Sequence, residues 1–294
     1  MSDAPPDNRR AALLLLAAAV AFTAEVIVVR ALDGRAGDAQ VMLSRGAAQL
    51  IALAPFVVAQ GAATALTMRR PRLHLARGLI SIVCWWLYYR SFRVLDMSLA
   101  TTLTFSTSLF VVALAGPVMG ETVGARRWVT TVIGFVGVAI AAGALTAQVD
   151  PGVAIGLGAA LLGAVLVCLN RVLARSETTL AIMVWIGIIT TVGSIPLAAL
   201  DWRPLGAADV GLLLAAGVVG TAGMFLSIEA YRVGEVSALA PFPYARLPIA
   251  AAAAWLLWGE APSVEVLVGG AVIIACALAA TTGERRRGLV APQR

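Results

Sequence analysis

The chain has 294 residues, 60% of them apolar and 13% charged, against roughly 45–50% apolar in soluble domains. Its formal charge of +6 comes from arginine alone, since all 22 basic residues are Arg. Apolar stretches of membrane-crossing length recur from end to end, so that charge is read as arginine at a membrane surface and not as a nucleic-acid interface. The dispersed cysteines Cys84, Cys168 and Cys276 form no CxxC, which argues against a disulfide framework or a zinc site and makes them packing residues.

Ten spans are predicted, at 11–31, 40–60, 75–94, 98–119, 128–146, 152–173, 180–200, 208–231, 236–258 and 263–282. The first has the outline of a signal peptide, with Arg9-Arg10, an apolar run and small residues before Glu25; it is read as a retained membrane helix. Asp33-Gly34, Asp150-Pro151-Gly152 and Arg203-Pro204 mark turns. The longest loop, near 61–74, carries Arg69, Arg70, Arg72 and the sole histidine, His74. The segments 1–10 and 283–294 read as charged cytoplasmic tails. With both termini cytoplasmic, Arg9, Arg10, Arg69, Arg70, Arg72, Arg126, Arg127, Arg171, Arg175, Arg232 and Arg285 to Arg287 all fall inside. The other side receives mainly Arg35, Arg93 and Arg203. This bias predicts a multi-pass protein of the inner membrane with both termini in the cytoplasm.

The stretch from Arg93 to Glu121 recurs, ungapped, from Arg232 to Glu260. Arg93 aligns with Arg232, Asp96 with Glu235, Ser98 with Ser237, Phe105 with Tyr244, and Gly120-Glu121 with Gly259-Glu260. An internal repeat with five spans per half makes the second half enter the membrane from the opposite side. The expectation is an all-α membrane protein of ten transmembrane helices in two inverted five-helix repeats, 11–146 and 152–282. Spacings such as Gly152/Gly156, Ala159/Gly163 and Ala139/Gly143 suit close helix packing in lipid.

These residues resemble the drug/metabolite transporter superfamily in its ten-helix EamA-type branch. The likeness rests on Arg45, on YYRSFRVLDMSLATTLTFSTSLF, on GETVGARRW followed by GFVGVAIAAG, and on their second-half counterparts EAYRVGEVSALAPFPYARLP, WGE and GGAVIIACALAA. It covers about residues 11–282. It implies secondary transport, with Glu121 and Glu260 as a structural signature closing the fourth helix of each half. Many members carry a Trp-Gly in the first span, where this chain has Phe22-Thr23-Ala24-Glu25.

Charges inside spans are costly, on the order of 2.5–3.5 kcal/mol, and point to function. Glu25 is a substrate-binding and proton-coupling candidate, or one half of an ion pair. Arg246 lies among Pro241, Pro243 and Pro248, which break or kink the ninth span. It would clamp a substrate carboxylate, or pair with Glu25. Trp86, Tyr89 and Arg90 are expected to line a cavity suited to an organic cation or planar group, while Trp85 and Phe92 are assigned to an interfacial belt. Thr104, with Thr101 and Ser108, offers hydroxyls to a substrate or back to its own helix. Asn170, Trp185 and Tyr244 are further lining candidates, and Arg45 is expected to snorkel to headgroups.

The expected function is alternating-access transport of a small organic metabolite, by resemblance the export of amino acids or related amphiphilic zwitterions or cations, proton-coupled or by exchange. No cofactor, metal or nucleic acid is implied, and the chain is expected as monomer or homodimer in a lipid bilayer. An embedded enzyme is disfavoured because HExxH, GxSxG and Walker A are absent and the one His lies outside the spans. A channel would want pore-lining charge rings or a filter loop, and neither is present.

Overall fold

The computed structural model describes residues 7–32, 34–119, 125–142, 150–173, 176–200, 202–233 and 242–288. Among these, every regular element is helical. They are α1 (Asn8–Ala31), α2 (Asp38–Gln60), α3 (Ala62–Ala65), α4 (Pro71–Val94), α5 (Met97–Met119) and α6 (Ala125–Ala141). Then come α7 (Gly152–Leu173), α8 (Thr179–Leu200), α9 (Ala207–Val233), a 3-10 turn (Phe242–Ala245), α10 (Arg246–Trp258) and α11 (Val264–Gly288). Six of them, α1, α2, α5, α7, α8 and α9, are long and apolar enough over their described residues to cross a membrane. Helices suit that setting because they satisfy every backbone group internally where no water is available.

Over its described residues each predicted span overlaps a helix, with differences at the 61–74 loop and the ninth span. The loop at 61–74 contains α3, and α4 already begins at Pro71, whose missing N–H costs nothing in a first turn. His74 is therefore not a loop residue: it lies in α4 and is buried. Of the ninth span, residues 236–241, with Pro241 among them, lie outside the described residues; its described part is a 3-10 turn holding Pro243 followed by α-helix from Arg246. Pro248 then falls in the first turn of α10, where its missing donor is not needed. Glu121, and Gly143 of the Ala139/Gly143 spacing, lie outside the described residues. Gly259 closes α10 in the left-handed conformation (φ 70°), its N–H donating to Trp255 O.

The chain forms two compact units. One comprises residues 24–95 and 151–222, in which α4 packs on α7 and α8, and α2 on α8. Glycines permit these approaches: a Cβ on Gly46 would collide with Thr191, on Gly78 with Ile189, and on Gly193 with Ile82. The other comprises residues 1–23, 96–150 and 223–294, where α6 packs on α11 and α5 on α6, α10 and α11. Gly137 and Gly269 meet backbone to backbone there, and a Cβ on Gly269 would sit 2.6 Å from Ala141 Cβ. Neither unit is a continuous half of the sequence; each takes helices from both.

Candidate functional site

In the first unit Glu25 of α1 is enclosed. It is 2% exposed, Arg45 is 4% and Tyr89 0%. Arg45 Nη1 forms an ion pair with Glu25 Oε1. The Tyr89 hydroxyl donates to the same oxygen at 2.7 Å and accepts from Arg45 Nη1 at 3.0 Å. The Arg45 guanidinium also lies 4.0 Å over the Trp85 ring. A phenol that both donates and accepts lets one acid and one base share a single hydrogen-bonded triangle in a dry interior. Helix α9 reaches this triangle through Gly220, whose added Cβ would overlap the Glu25 carboxylate.

Arg45 thus does not snorkel. It stands two turns inside α2, where Glu25 compensates its charge. Phe92 and Trp85 do not form an interfacial belt either. Phe92 is fully buried, and Trp85, half-buried, stacks on Tyr89 and meets Tyr88 edge-on at 5.3 Å. Trp86, by contrast, is 41% exposed. Arg90 lies at the solvent-accessible end, 3.8 Å from Asp38, which Arg93 engages more closely at 2.9 Å.

A second polar cluster of that unit gathers Asn170, Trp185 and His74 with Arg77 and Glu177, which the sequence reading passed over. Asn170 Oδ1 accepts from Arg77 Nε. The Trp185 ring lies 6.4 Å from His74, and His74 Nε2 lies 3.6 Å from Glu177 Oε1. That carboxylate oxygen also accepts the backbone N–H groups of Arg69 and Arg70, at 2.7 and 3.2 Å. Glu177 thereby ties the start of α4 to the segment before α8. A charge within a predicted span was the available signal for both Arg45 and Arg77.

In the second unit Arg246 borders a cavity of about 190 Å³, lined also by Leu15, Ala18, Ala19, Phe22, Phe105, Ser227 and Pro243, and Tyr244 is not in its lining. The Arg246 guanidinium lies 5.7 Å from the Phe22 ring centre, within cation–π range. The Phe105 and Tyr244 rings, aligned by the sequence repeat, touch with centroids 4.9 Å apart. A cationic fork, two aromatic faces and a serine make a wall able to hold a carboxylate at one end and a planar or apolar group at the other. The volume is below the roughly 300 Å³ of ordinary ligand pockets, so this conformation admits only part of a larger molecule.

Thr104 Oγ1 donates to Ala100 O at 3.0 Å, and Thr101 and Ser108 bond their own helix in the same way. Glu260 accepts from Met97 N at 3.4 Å and so joins the end of α10 to the start of α5.

Residues 9–143 match the profile of the EamA-like transporter family. An S-adenosylmethionine uptake transporter of Rickettsia bellii is 30% identical over 267 residues, covering 91% of each chain. A riboflavin transporter of Vibrio cholerae is 26% identical over 80% of this chain and 79% of its own. A pseudopaline exporter of Pseudomonas aeruginosa is 24% identical over 76% and 80%. A solved crystal structure aligns with 94% of this chain and 98% of its own, with a TM-score of 0.61 and 19% identity, a likeness of fold alone.

Proposed function

The chain belongs to the EamA-like transporter family, and from that premise we propose that it carries amino-acid-like zwitterions or cations across a bacterial inner membrane by alternating access. It is a multi-pass membrane protein and a transporter of small metabolites, not an enzyme. The substrate class rests on one observation, Arg246 beside the rings of Phe22 and Phe105 in the 190 Å³ cavity. The guanidinium takes the carboxylate and the rings take the apolar or cationic part. S-adenosylmethionine, carried by a relative, combines a carboxylate, an ammonium, a sulfonium and a planar base, and fits that division of labour.

Alternating access needs two halves of opposite orientation. The packing supports this reading. Under the sequence repeat, α2 corresponds to α8, α5 to α10 and α6 to α11, and each helix packs against its own counterpart. The remaining correspondences, α4 with α9 and α1 with α7, turn the observed α4–α7 pair into an α1–α9 pair. Those two helices approach each other where Gly220 meets Glu25 and Gly223 meets Phe22. Both termini then lie in the cytoplasm. Glu25 is the group placed to couple transport to protons; a proton reaches its carboxylate when Arg45 and Tyr89 release it. The named relatives include both an uptake system and an exporter, so direction follows from gradients and site asymmetry, not from family.

The test is counterflow. Proteoliposomes preloaded with unlabelled S-adenosylmethionine, amino acids or riboflavin should accumulate the matching labelled solute for at least one carboxylate-bearing compound. Rates equal to protein-free vesicles for every carboxylate-bearing solute would refute the substrate class.

A further inference from the structure

A larger cavity of about 550 Å³ opens in the second unit, away from Arg246. Its lining gathers Asp96 before α5, Asp150 before α7, Glu260 after α10 and Glu265 in the first turn of α11, and among the described residues that line it there is no arginine. That is unusual in a chain whose formal charge is +6. Part of this acidity has a local cause: Glu260 accepts the Met97 N–H, and Glu265 sits where a helix N-terminus favours an anion. Capping does not require four carboxylates around one space, where each makes the potential at the others more negative.

A second observation points to a ligand. Ser98, 5% exposed, also lines the cavity, and its hydroxyl has no hydrogen-bond partner. A buried hydroxyl left unanswered is costly, and it accepts readily from an ammonium. A metal ion does not suit the place, because no three His, Cys, Asp or Glu among the described residues converge as ligands. Dispersed acids around a roomy cavity fit a larger, softer charge.

The geometry points to a docking site for organic cations: a protonated amine, quaternary ammonium or sulfonium held by field and not by coordination. The connections that supply the acids each follow an odd-numbered span. With cytoplasmic termini, all therefore open on the outer face. The site would concentrate cationic solutes from outside before they reach the Arg246 cavity. This deepens the transport reading and rests on it for its purpose, but its test does not need the substrate to be known.

Ala261 lines the cavity and is exposed, while the native Cys84, Cys168 and Cys276 are buried. In Ala261→Cys, intact cells are treated from outside with trimethylammonium-ethyl and sulfonato-ethyl methanethiosulfonates, calibrated against free thiol. The cationic reagent should react roughly ten-fold or more faster, and the ratio should shrink at high salt. Asp96→Asn with Glu265→Gln should bring it close to that of free thiol. Millimolar tetraethylammonium should slow a neutral reagent at this site, and glutamate should not. Equal rates for the two charged reagents, or no protection by the cation, overturn the proposal. Cationic preference and protection seen only in inverted vesicles would overturn the outer placement. Failure of counterflow leaves these readouts unchanged, so the two ideas fail separately.

Discussion

Arg45→Met tests the enclosed triangle most directly. Methionine keeps much of the arginine stem but removes the guanidinium that answers Glu25 and lies over Trp85. Breaking a buried pair by deleting one member costs roughly 3–5 kcal/mol, because the surviving charge is stranded. Here Glu25 retains only the Tyr89 hydroxyl at 2.7 Å, and a hydrogen bond to a charge returns about 1.5–3 kcal/mol at most. For a chain of this length about 2–3 °C of melting temperature corresponds to each kcal/mol. Purified protein in detergent, followed by intrinsic fluorescence on heating, should therefore melt roughly 6–15 °C below wild type. The double variant Glu25→Gln/Arg45→Met removes both charges and should recover most of that loss. A single variant that melts with wild type, or a double variant no better than the single, would refute a coupled buried pair.

Gly220→Ala places a methyl on the Glu25 carboxylate. It should cost about 1–3 kcal/mol through overpacking, despite a helix-propensity gain of about 1 kcal/mol. Gly211→Ala, in the same helix with open space around it, should be neutral or stabilising in the same melting assay. Arg246→Lys exchanges a fork for a point charge and should raise KM for a carboxylate-bearing solute by roughly ten-fold in counterflow, with little change in melting temperature. Glu25→Gln should flatten the pH dependence of uptake if the carboxylate carries the proton; an unchanged profile assigns coupling elsewhere.

Element positions were readable because apolar runs of span length leave little choice of structure. Glu25, Tyr89, Tyr244 and Arg246 were readable as residues that membrane burial makes conspicuous. Their neighbours were not. Which of many arginines meets Glu25 depends on lateral packing between α1 and α2, and no local periodicity encodes it. The same limit inverted the aromatic assignment on α4. Spacing groups Trp85 with Phe92 and sets Trp86 apart, but does not say which face turns inward. Those residues lie near a helix end, where a belt and a core look alike in sequence. Arg77 and Glu177 illustrate a different gap. Each reads as an ordinary loop or span-edge charge until His74, Asn170 and Trp185 are brought beside them by α4, α7 and α8.

The Glu25–Arg45 pair also bears on how this protein responds to voltage. An elementary charge moved fully across 100 mV gains or loses about 2.3 kcal/mol. A carboxylate and a guanidinium that travel together sum to zero, so shifting them through the field requires no electrical work. Voltage dependence of transport then arises outside this pair: from the cargo, from a proton taken up when the pair opens, or from other interior charges such as Arg77 and Arg246.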